Sequence, residues 1–112
     1  MLPIEYRLKK RKQFNYIHKN GKYVGGEFLG VVYCAGGKIP NAKFGFSASK
    51  KVGNSVIRHR AVRLMREAAK PFIKSADQKN NYIIVAKEGI EKQHLLYITL
   101  DLEKVLKRCS VL

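Results

Sequence analysis

Between Lys50 and Lys70 the chain reads KKVGNSVIRHRAVRLMREAAK, a glycine-broken turn that runs into an amphipathic helix. At roughly 100° per residue, Ile57, Ala61, Leu64, Met65, Ala68 and Phe72 share one stripe. His59, Arg60, Arg63, Arg66 and Lys70 share the opposite one, and Arg58 falls on the flank beside Val62 and Ala69. Asn54 or Ser55 supplies the N-cap, and Pro71 marks the last turn or the residue beyond it. The apolar stripe calls for a partner layer. The basic stripe calls for something else, because a solvated helix face normally mixes signs and here only Glu67 interrupts. Arginine at 58, 60, 63 and 66 suits phosphate, whose oxygens match a guanidinium fork bidentately.

Outward from this helix the chain alternates between layers. On its N-terminal side, Lys43–Ser49 has the period of a strand, with Phe44, Phe46 and Ala48 turned to a core. Gly45, Ser47 and Ser49 turn the other way and leave a smooth face that a ligand can approach. On its C-terminal side, Ser75–Asn81 is a polar loop and Tyr82–Ala86 a continuous apolar run, the pattern of a central strand. Gln93–Cys109 is a closing helix with Leu95, Ile98, Leu102, Val105, Leu106 and Cys109 on one face and Glu103 with Lys107 at i, i+4. Earlier, Lys9–Asn20 is a first helix with Phe14, Ile17 and His18 on one side and Gly21 as C-terminal cap. Tyr23-Val24, a Gly25-Gly26 break, Phe28–Cys34 as a strand and Ala35–Ala42 as a loop complete the order αβββαβα. That order predicts an α+β fold, a two-layer α/β sandwich, over a single RNA-binding domain of residues 1–112.

The charge of +15 comes from 23 Lys and Arg against 8 Asp and Glu, and it is clustered. Arg7–Lys22 holds no acid at all, whereas Asp77, Glu88, Glu91, Asp101 and Glu103 gather late. A domain that repels itself in this way favours a polyanion, and RNA fits best. Cys34 and Cys109 are too few for a zinc site or redox motif and suit a reducing, cytoplasmic setting. No stretch reaches the ~18 apolar residues of a membrane span, and no apolar run follows the N-terminal charges as in a secretory signal.

The residues able to bind are more numerous than those able to react. The turn Ser49–Ser55 offers Lys50 and Lys51 beside the start of a helix, where free N–H groups favour an anion; a capped turn with exposed lysines is the plainer reading. Phe14 with His18 one turn on could stack unpaired bases, or Phe14 could simply anchor its helix to the sheet. Tyr23, Phe28 and Tyr33 are equally open. No Ser/His/Asp constellation and no carboxylate pair near the basic residues suggests catalysis by the chain, and His18, His59 and His94 are too scattered to bind a metal.

The block FGFSASKKVGNSVIRHRAVRLMREA, Phe44 to Ala68, resembles the signature of the bacterial ribonuclease P protein family. RLKKRKQF from Arg7, YIIVAKEG from Tyr82 and the basic closing helix fit as well, so the resemblance spans nearly the whole chain. It implies a left-handed βαβ crossover, against the usual hand. It also implies an accessory role beside an RNA subunit, a Mg²⁺-dependent ribozyme that removes the 5′ leader from precursor tRNA. By the same resemblance Lys50, Lys51, Asn54, Arg58, Arg60, Arg63 and Arg66 meet the catalytic RNA, one protein per RNA. Phe14, His18, Ser47 and Ser49 fall in the leader cleft between the first helix and the sheet. No metal is expected on the protein, and no membrane partner. His59 stands where the family has Asn, Val62 where Lys is common, and His18 in place of an aromatic. The alternatives are a ribosomal or other structural RNA-binding protein, or a nuclease acting without RNA.

Overall fold

The computed structural model describes residues 6–35 and 43–109. Four strands, β1 (Lys22–Gly25), β2 (Leu29–Ala35), β3 (Phe44–Ser47) and β4 (Asn80–Ala86), form one sheet in the order β1-β2-β4-β3. Its helices are α1 (Arg11–Asn20), α2 (Ser55–Ala69) and α3 (Leu95–Arg108), with single 3₁₀ turns at Lys70–Phe72 and Ile90–Lys92. The predicted order αβββαβα is therefore present. Most of the loop expected over Ala35–Ala42 lies outside the described residues.

β4 is central, as its apolar run requires. It pairs antiparallel with β2 and parallel with β3, so β3, α2 and β4 make a βαβ unit in which the arginine-bearing helix is the crossover. The sheet divides two cores by simple alternation. Val31, Phe44, Tyr82 and Ile84 face α2 and α3 in the main core, together with Ala61, Met65, Ile98 and Leu102. Val32 and Ile83 face the other way and meet Leu8 and Ile17 in a smaller cluster beneath α1. The α2–α3 layer and the sheet thus form the sandwich, and α1 lies across the sheet's opposite face.

α1 starts two residues later than its periodicity suggests. The Gln13 side chain accepts hydrogen bonds from the Lys9 and Lys10 N–H groups at 3.1 and 3.2 Å and holds the preceding backbone extended. At its other end the Gly21 N–H reaches the Ile17 carbonyl at 2.7 Å. Gly21 is not left-handed, with φ −88°; it is needed for space, because a Cβ would stand 2.5 Å from the Ile17 oxygen and 2.8 Å from that of Tyr33. Ahead of α1, Arg7 bridges Phe44 and the Leu8 N–H donates to the Phe44 carbonyl at 2.9 Å, so the lead segment covers the outer edge of β3.

Candidate nucleic-acid interface

The turn before α2 folds as its sequence dictates. Val52 is buried and its N–H donates to the Ser49 carbonyl at 3.0 Å, which pins the loop and leaves Lys50 and Lys51 exposed. Gly53 has φ +155°, and a Cβ there would also meet the Ile57 side chain at 2.8 Å. Of the two cap candidates Asn54 is the one used: its side chain accepts from the Ile57 N–H at 3.0 Å.

Along α2 the arginines do not share one stripe. Arg60 and Arg63 point outward with His59, and with Leu64 and Glu67 they line a shallow groove. Glu67, the acid that interrupts the stripe, is turned to Lys70, with contacts of 3.0 and 3.1 Å. The hydrogen bond from Lys70 holds the Glu67 carboxyl below its usual range, and the Lys70 ammonium is raised correspondingly. Among the described residues, none of the four arginines forms an ion pair with a carboxylate; the pairs that do form are Lys70–Glu67 and Lys107–Glu103. Arg58 is half-buried, and among the described residues its Nε is enclosed without a hydrogen-bond partner.

Arg66 leaves the outward group altogether, which corrects the expectation that it stands beside Arg60 and Arg63. Its guanidinium carbon sits 5.8 Å from the centroid of the Phe46 ring, a cation–π contact. The cause is position: Arg66 lies at the border of the helix's buried face, and a long side chain there reaches down to the sheet edge. With Arg7, Leu8, Phe14, Gly45 and Phe46 it encloses a cleft of about 120 Å³.

Phe14 anchors α1 to the sheet and also borders open space. It packs beside the α1 cluster, and its half-buried ring also walls the cleft. Gly45 makes this possible, since a Cβ at that position would stand 2.6 Å from the Phe14 ring. His18 is exposed and does not line the cleft. Ser47 is half-buried on β3 opposite Val85, on the same sheet face as Gly45, and Ser49 is exposed just beyond the strand. Arg7 and Phe46 are cleft residues that the sequence does not single out. Alternation alone places Phe46 in the core, and the edge position that opens one side of it is not visible in the sequence.

The family model described as Ribonuclease P matches residues 2–110. The chain belongs to the ribonuclease P protein family. The ribonuclease P protein component of Staphylococcus aureus is 34% identical over 111 residues, covering 99% of this chain and 94% of that protein. A solved structure of the S. aureus RNase P protein superposes with TM-score 0.79 at 35% identity, covering 95% and 96% of the two chains. A mutant of that protein with defective mRNA degradation activity superposes with TM-score 0.83 at 32% identity, covering 96% and 91%. As a ribonuclease P protein, the chain is a subunit of a ribonucleoprotein endoribonuclease of tRNA processing. Among the described residues no helix is long and apolar enough to cross a membrane.

Proposed function

We propose that this subunit docks on the ribonuclease P RNA through Lys50, Lys51, Asn54, Arg58, Arg60 and Arg63. From Arg66 inward the same surface turns into a channel for the 5′ leader of precursor tRNA, along Phe14 and past Ser47 and Ser49. The observation that carries this reading is the division of the arginines. Among the described residues Arg60 and Arg63 stand outward without carboxylate partners, available for phosphates, while Arg66 caps an aromatic cleft on the sheet. Contacts of this type, a cation and aromatic faces over small residues, are tolerant of sequence and suit leaders of many sequences. His18 and His59 border these surfaces as polar contacts, and the complex forms in the cytoplasm with one protein per RNA.

Mg²⁺ belongs to the RNA in this scheme. Among the described residues no three His, Cys, Asp or Glu side chains converge as metal ligands. The protein's part is to add cationic and stacking contacts that hold the substrate's single-stranded end while the RNA performs the hydrolysis.

The test is cleavage by a cognate ribonuclease P RNA at low Mg²⁺, with and without the protein, on precursor and mature tRNA. The protein should tighten binding of the precursor and leave that of mature tRNA nearly unchanged. Phe14→Ala should remove most of that preference. If the preference for precursor is absent, or if the protein cuts the substrate with no RNA subunit present, this reading fails.

A further inference from the structure

The sheet face that carries the cleft continues well past it. Across the strands the register aligns Tyr23, Val32, Ile83 and Gly45 in one row, and Gly25, Gly30, Val85 and Ser47 in the next. α1 lies on the first row, through Ile17 near Val32 and Ile83 and Phe14 on Gly45. At the β1 end of these rows Tyr23 is 56% exposed.

Tyr23 is nevertheless held in place. Its ring lies diagonally across Gly30: a Cβ on Gly30 would stand 2.3 Å from the Tyr23 hydroxyl oxygen and 2.5 Å from the ring. Only glycine at 30 lets the hydroxyl end of the ring lie against the backbone of β2, while more than half of the side chain stays open to solvent. Lys87 stands alongside. Its ammonium donates to the Gly26 carbonyl and lies 3.2 Å from where a Gly25 Cβ would be, the same distance from that point as the Tyr23 hydroxyl. An ammonium has three donors, so that bond leaves others for a phosphate.

We infer that Tyr23 and Lys87 form a second nucleotide platform, on which a base of the leader upstream of the Phe14 cleft stacks while Lys87 meets its phosphate. The inference rests on the leader lying along this face. β1 is three strand spacings from β3, roughly 14 Å, so the two platforms engage different nucleotides of one single strand. An aromatic ring with an adjacent cation is the pairing that single-stranded nucleic acid uses, and it is indifferent to base identity. The platform therefore makes affinity depend on leader length more than on leader sequence.

The experiment uses holoenzyme assembled with the cognate RNA and precursor tRNAs whose leaders are lengthened one nucleotide at a time. Wild-type affinity should rise in two steps, the second once the leader reaches β1. Tyr23→Ala should abolish the second step, about a tenfold loss for long leaders, and leave short leaders unaffected. Tyr23→Phe should keep the step, because the ring and not the hydroxyl does the stacking. Tyr23→Trp should show fluorescence quenching by long-leader substrates only. If Phe14→Ala weakens binding while Tyr23→Ala matches wild type at every length, or if Tyr23→Trp is not quenched, the platform is wrong and the cleft stands. If neither Phe14→Ala nor Tyr23→Ala has an effect, the leader does not lie on this face at all.

Discussion

Tyr82, the largest side chain sealed in the main core, stacks on Phe44 with ring centroids 4.9 Å apart, and its hydroxyl donates to the Asp77 carbonyl at 2.6 Å. Burial pushes its phenol from the usual 10.0 up to about 12. The folded state therefore keeps the proton longer than the unfolded chain. The stability this contributes is complete below pH 10 and is lost as pH rises towards 12, at roughly 1.4 kcal/mol for each pH step of one across that interval. Burial moves the Cys109 thiol in the same direction, to about 11, so stability also falls with pH from 9 upward on its account. Thermal melts of Tyr82→Phe should show about 1 kcal/mol less stability at neutral pH, from the lost hydrogen bond, and a shallower decline above pH 10. An unchanged alkaline decline would mean that Tyr82 is not its source. The burial of Tyr82 was legible in the sequence as the start of a continuous apolar run. Its hydroxyl partner was not, because Asp77 lies in a polar loop whose course no periodicity fixes. Arg66 teaches the same lesson: a helical wheel gives the direction of Cβ but not where a long side chain comes to rest.

Between elements, a carboxylate fastens α3 to the β1–β2 turn. Asp101 is buried, 8% exposed, and accepts from the N–H groups of Glu27, Phe28 and Leu29 at 2.9, 2.8 and 3.2 Å. Gly26 admits it, since a Cβ there would stand 2.8 Å from both carboxylate oxygens. Arg108 adds a bond to the Gly25 carbonyl at 2.9 Å, and Lys87 adds one to that of Gly26. Asp101→Ala would strand up to three N–H groups and should lower stability by roughly 2–4 kcal/mol, with Asp101→Asn costing less; denaturant unfolding measures both. A loss below about 0.5 kcal/mol would show that water satisfies the turn without Asp101. α3 itself was legible from its stripe, although Leu95, which the periodicity puts on that stripe, is exposed at 38%. The fastening was signalled only by an acid lying three residues after Ile98 and four before Val105, on the buried side of the helix. β1 was barely legible, as Tyr23-Val24 alone, because a four-residue strand with half its residues exposed carries no apolar alternation.

At the scale of the molecule, the formal charge of +15 acts on folding and on binding with opposite sign. Added salt screens the repulsion among Lys and Arg, so the melting temperature of the free protein should rise between low and physiological ionic strength. Over the same range affinity for RNA should fall, and Arg60→Ala or Arg63→Ala should each reduce the slope of log affinity against log salt by about one. Melts and RNA titrations across one KCl series give both trends; a melting temperature that drops with salt would show that attraction, not repulsion, dominates the free protein. The layered order was legible because α2 and α3 each announce a period and β4 an unbroken apolar run. The separation of the sheet's two faces was not, since Val31 and Val32, or Ile83 and Ile84, look alike in sequence and part only when the pleat forms. One consequence of the topology concerns the entropy of recognition. The helix that presents Arg60 and Arg63 is also the covalent link between β3 and β4, neighbours in the sheet. It cannot tilt or slide to greet a partner without unzipping its own foundation. Whatever it docks on meets a surface already fixed in shape, and little ordering is left to be done at the moment of contact.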